Sequence, residues 1–188
     1  MLFRSSRQKL GAGRTAVVIG VGGLGHIAVQ LLKVLTPATV VAIDRREQSL
    51  ALARRFGADH AVLAGDGAVD AVRDLTRGQG ADVVLDFVGV DQTLATAARM
   101  ARALGDITIV GVGGGSVPVG FFRLANEVSV QTMNWGSLPE LREVLDLAAA
   151  GKLMPVITTY ALDEAPEVYA RLTRGEIEGR AVIVPQSG

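Results

Sequence analysis

Thr15 to Leu35 constrains the fold of this chain more than any other stretch. It reads TAVVIGVGGLGHIAVQLLKVL. Ala16, Val17, Val18 and Ile19 make an apolar, largely β-branched run, glycines follow at 20, 22, 23 and 25, and apolar residues then recur at Ile27, Ala28, Leu31, Leu32 and Leu35. The spacing predicts a strand, a glycine turn and a helix, in that order.

Gly20, Gly22 and Gly25 occupy the G-x-G-x-x-G positions. In such a turn the first glycine permits the sharp exit from the strand, the second lets a pyrophosphate approach bare backbone, and the third lets the helix pack closely on the sheet. Backbone N–H groups at the start of the helix, with Gly23 and Leu24 between the spaced glycines, then face an anion at the positive end of the helix dipole.

A glycine turn alone is weak support for a nucleotide site. Here a second apolar strand, Thr39 to Ile43, ends in Asp44, nineteen residues beyond Gly25. An acid at that distance is placed to accept both hydroxyls of an adenosine ribose. The competing reading is that Asp44 caps a helix starting near Arg46. Strand, glycines and spacing together point to a dinucleotide cofactor.

With 188 residues, 49% of them hydrophobic, the chain can bury a real core and is expected to form one domain with an appendage. Its formal net charge is zero, so no basic field points to nucleic acid or anionic lipid. Short basic groups, Arg4 to Lys9 and Arg45-Arg46, read as solvated. Without cysteine there is neither a disulfide framework nor a thiolate metal site. No apolar run reaches membrane-spanning length and the N-terminus has no signal-like apolar core, so a soluble, cytoplasmic protein is expected.

Residues 1–14 read as a polar, partly ordered lead-in. After the second strand the spacing predicts a helix over 47–56, a short strand over 61–64 and a helix over 69–76. A strand over 81–88, ADVVLDFV, is apolar almost throughout, as in parallel sheets buried on both faces. A helix over 91–104, a strand over 107–112 and a last strand over 128–135 follow. The alternation argues for an α/β Rossmann fold, a doubly wound six-stranded parallel sheet in the order 3-2-1-4-5-6. This dinucleotide-binding unit is expected over 15–136. The segment 137–188, with a helix over 138–150, a strand over 156–160, a helix over 163–172 and a strand over 181–184, is expected to lie outside that sheet as a C-terminal α/β appendage.

Ligands of such sheets lie beyond the carboxyl ends of the strands where strand order reverses. The candidate site is therefore Gly20 to Gly25, Asp44, Phe87-Val88-Gly89, Gly111-Val112 and Asn134-Trp135.

The runs AVVIGVGGLGHIAVQLLKVL, VVAID, GADHAV, ADVVLDFVG and IVGVGG, with LDLAAAGKL and ALDEAPEVYARLTRGEIEGRAVIVP in the tail, resemble the coenzyme-binding domain and C-terminal segment of medium-chain, zinc-type alcohol dehydrogenases. The resemblance covers about Thr15 to Pro185. Within that family it points toward bacterial NAD-dependent secondary alcohol dehydrogenases. It implies hydride transfer between an alcohol and the nicotinamide of NAD in the parent enzyme. It also implies a preceding N-terminal catalytic domain that supplies the zinc ligands. With no cysteine and only His26 and His60, nothing in this sequence assembles an open zinc site, so catalysis by this chain alone is not expected.

Carried over residue by residue, the resemblance implies that the backbone of Gly22, Gly23, Leu24 and Gly25 holds the pyrophosphate and Asp44 the adenosine ribose. Arg45 would lie along the adenine. Phe87, Val88 and Gly89 would line the middle of the cofactor, Gly111, Val112, Asn134 and Trp135 the nicotinamide end, and Arg180 would reach the pyrophosphate. Each apolar member has plain core packing as its alternative, and Arg45 a solvated surface. His26, in the first turn of the helix, reads as an ordinary helix residue before it reads as a cofactor contact. NAD is expected over NADP, because a ribose phosphate would set up to two negative charges beside Asp44, at a cost on the order of several kcal/mol at about 4 Å and a dielectric near 20.

Two other readings stay open. One is a stand-alone module that binds or senses NAD without catalysis. The other is an S-adenosylmethionine-dependent methyltransferase, against which the dehydrogenase-like tail argues. A homo-oligomer is expected through the apolar edge strand at 128–135, as the family commonly pairs.

Overall fold

The computed structural model describes residues 7–185; the first six residues of the expected lead-in, Arg4 among them, and the last three of the tail lie outside it. Strands β1 (Thr15–Ile19), β2 (Thr39–Asp44), β3 (His60–Leu63), β4 (Ala81–Asp86), β5 (Ala101–Ile109) and β6 (Ser129–Thr132) form one sheet in the order β3-β2-β1-β4-β5-β6. Every neighbouring pair is parallel. This is the Rossmann order expected from the alternation of strand and helix signals.

Helices α1 (Gly25–Leu35), α2 (Glu47–Arg55), α3 (Ala68–Leu75) and α4 (Asp91–Met100) connect the strands. Because side chains alternate along a strand, β1 feeds two cores at once. Ala16 and Val18 pack with Val29, Leu32 and Ala53 on one face; Val17 and Ile19 pack with Val69, Val72, Ala97 and Met100 on the other. Every residue of β1 and β4 is buried. Each full-size apolar side chain taken out of water this way contributes about 1.5–3 kcal/mol.

Several elements end earlier than their patterns suggest, β5 among them at Ile109 rather than at 112. Phe87 and Val88 continue the apolar run of β4, but Asp86 Oδ1 accepts the N–H groups of Val88 (2.8 Å) and Gly89 (3.0 Å) and turns the chain out of the ladder. Helix α4 stops at Met100 rather than at 104. Ala101 pairs with Ala81, the chain then leaves the ladder, and pairing resumes at Asp106 with Val83. In that excursion Arg102 Nε reaches Asp82 at 2.6 Å and Leu104 takes a φ of 62°. Strand β6 keeps only four of the eight residues expected over 128–135, and Trp135, at φ 60°, has left the extended region.

Residues 7–14 are docked. Leu10 is buried in the same core as Val18, Lys9 bonds Asp106, and Arg14 Nη1 lies 3.1 Å from Asp82 Oδ1. Beyond the sheet come α5 (Leu138–Ala149), β7 (Ile157–Ala161), α6 (Ala165–Thr173) and β8 (Arg180–Val184). Ser137 and Glu140 close a reciprocal cap on α5, the Ser137 N–H donating to Glu140 Oε2 at 2.8 Å. Strands β7 and β8 pair with each other in parallel as a separate two-stranded sheet. Among the described residues, no helix is long and apolar enough to cross a membrane.

Candidate functional site

The carboxyl ends of β1, β2 and β4 converge on the glycine turn. The N–H of Gly20 donates to the carbonyl of Ile43 (2.8 Å) and that of Phe87 to Ile19 (2.9 Å), so the exit of β1 is clamped between its neighbours. A Cβ on Gly25 would meet the Gly20 oxygen at 1.9 Å, which is how closely α1 packs on the end of β1. A Cβ on Gly22 would meet nothing within 4 Å. Backbone bare on its outer side, next to the unpaired N–H groups of a helix start, can hold an anion.

Asp44 closes one flank of this turn. It is buried, and Oδ2 accepts the Val21 N–H while Oδ1 accepts that of Arg46, at 2.8 and 2.9 Å. The carboxylate thus braces the glycine turn and also, as the capping reading has it, the entry to α2. A carboxylate oxygen with one bond filled keeps acceptor capacity for a hydroxyl. Arg45 is exposed and lies beside Gly175, whose added Cβ would stand 3.4 Å from Nη2. Arg46 Nη1 donates to the Gly175 carbonyl. The two arginines thus face the turn after α6.

Val88 covers Gly20: its Cγ2 stands 2.6 Å from where a Gly20 Cβ would be. Gly89 is buried and Gly111 packs backbone to backbone on Val88, with a Gly111 Cβ 2.2 Å from the Val88 carbonyl carbon. The Asp86 carbonyl accepts the N–H groups of Val110 and Gly111, so one residue ties together the loops leaving β4 and β5. Its Oδ2 is buried without a hydrogen-bond partner among the described residues. Val112 is 98% exposed, so it is no part of the core. Asn134 is exposed after β6. Trp135, also exposed, lines an open cleft of about 400 Å³ with Leu24, Ile27, Leu31 and α5 residues such as Leu138 and Leu141.

The opposite flank of the turn comes from the C-terminal segment. The Arg180 side chain lies on Gly23, where an added Cβ would meet its Cδ at 2.9 Å and its Nη1 at 3.0 Å. What holds this segment is a pair of α1 side chains: His26, which the sequence reads as an ordinary helix residue, and Gln30, which it does not single out. His26 is fully buried; Nδ1 bonds the Gly22 carbonyl at 2.8 Å and Nε2 takes the Val156 N–H at 3.2 Å. It is therefore not an ordinary helix residue. One turn on, Gln30 Oε1 accepts the Met154 N–H (2.8 Å) and Nε2 donates to the Met154 carbonyl (3.2 Å). Two polar residues four apart on the apolar face of a helix are the signal that could have found them.

The donor set for a zinc that polarises an alcohol oxygen does not fit these residues. Cysteine is absent from the chain, both His26 nitrogens are engaged, and His60 stands exposed at the start of β3. Among the described residues no group of three or more His, Cys, Asp or Glu could hold a metal ion. A dinucleotide fits better, since the bare Gly22 backbone is flanked by the carboxylate bound to Val21 and the guanidinium on Gly23.

Residues 23–150 match the family model described as zinc-binding dehydrogenase. An NAD-dependent alcohol dehydrogenase of Sulfurisphaera tokodaii is 34% identical, over 97% of this chain and 54% of that protein. A D-arabinose 1-dehydrogenase (NADP(+)) of Saccharolobus solfataricus is 33% identical, over 90% and 49%. The crystal structure of the alcohol dehydrogenase from the hyperthermophilic archaeon Aeropyrum pernix superposes with a TM-score of 0.93 at 43% identity, covering 98% of this chain and 54% of that one. The chain spans about half the length of the curated relatives it matches.

Proposed function

The chain belongs to the zinc-binding dehydrogenase family, and from that premise we propose that it binds NAD(H) and forms the coenzyme-binding part of an alcohol dehydrogenase. Bound there, the nicotinamide would accept or return a hydride. This chain's own residues would hold and orient the cofactor. The observation that carries the reading is the open Gly22 backbone between the Asp44 and Arg180 flanks of the turn.

In this reading Gly20, Gly22, Gly23, Leu24 and Gly25 cradle the pyrophosphate, with Arg180 supplying the countercharge. Asp44 takes the adenosine ribose hydroxyls and Arg45 borders the adenine. Phe87, Val88 and Gly89 border the middle of the cofactor. Gly111, Val112, Asn134 and Trp135 stand toward the nicotinamide. The unit over 15–136 would carry the cofactor and the arm from 137 onward would complete its phosphate site. NAD over NADP is supported by the Asp44 carboxylate and by the name of one relative, while another relative's name specifies NADP(+). Pairing of two copies through the β6 edge belongs to the same proposal, since an edge strand leaves N–H and C=O groups to satisfy. So does a cytoplasmic setting, where NAD(H) is a metabolite.

Calorimetric titration of the purified chain with NADH and NADPH, beside Asp44→Ala, tests it. Saturable NADH binding that the variant loses is expected. Absence of binding to either dinucleotide would overturn the reading.

A further inference from the structure

Three hydrogen bonds in series, closed by one side-chain contact, join the glycine turn to the C-terminal arm. The Gly22 carbonyl accepts Nδ1–H of His26 (2.8 Å), Nε2 of the same ring accepts the Val156 N–H (3.2 Å), and the Val156 carbonyl accepts the Arg180 N–H (2.8 Å). The Arg180 side chain then returns to Gly23. The circuit starts and ends on adjacent residues of the turn. Gly22 offers the ring an acceptor and Val156 offers it a donor, so only the neutral imidazole with its proton on Nδ1 serves both.

The charged groups that face the ring are Arg180, on β8, and Glu178, just before it. From the α2 side the neighbour is the Phe56 ring, 6.0 Å away between centroids, over which the Arg55 guanidinium stacks. Burial, above all, and the Arg180 charge push the imidazole pKa below its ordinary value, while the Gly22 carbonyl and Glu178 act the other way.

We propose that His26 is a positioning residue that sets Arg180 on the glycine turn, so that the pyrophosphate of a dinucleotide is gripped fully only while the imidazole is neutral. The inference rests on the NAD(H) reading. A proton added at Nε2 would confront the Val156 N–H with a second donor. That bond is then lost, and the Val156–Arg180 pair is freed from α1.

The test is titration of the purified chain and of His26→Ala, Arg180→Ala and the double variant. At pH 7.5 each single variant should bind NADH about tenfold more weakly, the worth of one good hydrogen bond. The double variant should be no weaker than Arg180→Ala alone; losses that multiply would overturn the proposal. ADP-ribose, which carries the pyrophosphate, serves for the pH arm. Its affinity for the unaltered chain should fall as pH drops through the lowered pKa of the folded imidazole, and His26→Gln, whose amide both donates and accepts without titrating, should retain affinity and lose that dependence. A flat profile for the unaltered chain would overturn the proposal. If the unaltered chain binds no dinucleotide, the NAD(H) reading and the grip fall together, and amide exchange still decides the circuit: after correction for intrinsic rates, Val156 and Arg180 N–H should lose protection in His26→Ala and keep it in His26→Gln, and equal protection in the unaltered chain and His26→Ala removes it.

Discussion

A Cβ added to Gly25 would stand 1.9 Å from the carbonyl oxygen of Gly20, whereas one added to Gly22, three residues earlier, would meet nothing within 4 Å. The first glycine serves packing and the second serves access. Gly25→Ala should therefore cost about 3 kcal/mol of stability as α1 is forced off β1. Gly22→Ala should stay within about 0.5 kcal/mol of the parent and yet bind NADH more weakly. Urea unfolding and NADH titration of both variants separate the two effects; equal destabilisation would contradict the assignment.

Asp44 is expected to govern the choice of dinucleotide. Removal of its carboxylate in Asp44→Ser should weaken NADH roughly tenfold to hundredfold, the range for a bond to a charged group. Binding of NADPH should weaken less, because the repulsion it meets is also removed. Asp44→Asn, which keeps acceptor oxygen at one position, distinguishes loss of charge from collapse of the bonds to Val21 and Arg46. An unchanged NADH to NADPH ratio in Asp44→Ser would argue that the ribose sits elsewhere.

At the opposite, amino end of β4, buried Asp82 accepts from the Thr15 N–H at 2.8 Å and from Arg102 and Arg14 at 2.6 and 3.1 Å. Asp82→Ala strands these donors and should cost about 3 kcal/mol. Arg14, half exposed, is screened by water, and Arg14→Ala should cost less than about 1 kcal/mol. Chemical denaturation of the two variants checks the ranking, and no NADH-binding change is expected from the arginine.

The buried imidazole also sets a pH dependence of stability. His26 has its pKa lowered on folding, so the unfolded chain binds the proton more readily. Its contribution is present in full above the unfolded value near 6.5 and is lost as pH falls from there through the lower folded value. Thermal unfolding between pH 7.5 and 5 should show the midpoint dropping on the acid side, with a smaller drop in His26→Gln. Parallel curves for the two proteins would place the effect on other groups.

Pairing through β6 predicts a particle of twice the chain mass of 19.6 kDa in light scattering. The strand is short and its outermost residues, Ser129 and Thr132, are exposed. The Met133 N–H donates to the Ile109 carbonyl, so the alternation along β6 turns the Thr132 N–H to the free side; Thr132→Pro removes that N–H and should shift the mass toward one copy without reaching the cofactor turn. A single-copy mass in the parent protein would remove the edge as an interface.

Where local patterns decide, the fold was readable from residues alone. The strand from Thr15, the turn at Gly20 and the helix to Leu35 stand where periodicity put them, because each is settled by neighbours within a few positions. Strand β4 misled at Phe87 and Val88, which are apolar enough to continue it; the bonds that end it come from the Asp86 side chain. Ala101 to Leu104 suits a helix, yet parallel pairing at Ala101 and the reach of Arg102 to Asp82 prevail. His26 reads as an ordinary helix residue for a related reason. Its meaning depends on Val156, 130 positions away, and no local pattern carries that.

That separation also has a consequence in time. The first five strands of the large sheet are joined by β-α-β crossovers, each a short walk along the chain, whereas the arm returns to α1 only after all six strands have been laid down. Loop closure over such a span adds little to the equilibrium cost, about 0.6 kcal/mol per doubling of length, but non-local contacts are the slow ones to form. During synthesis the glycine turn therefore exists before Arg180 has emerged to cover it. Docking of Arg180 on the glycine turn comes after the sheet, and a refolding experiment should find it trailing the appearance of the sheet.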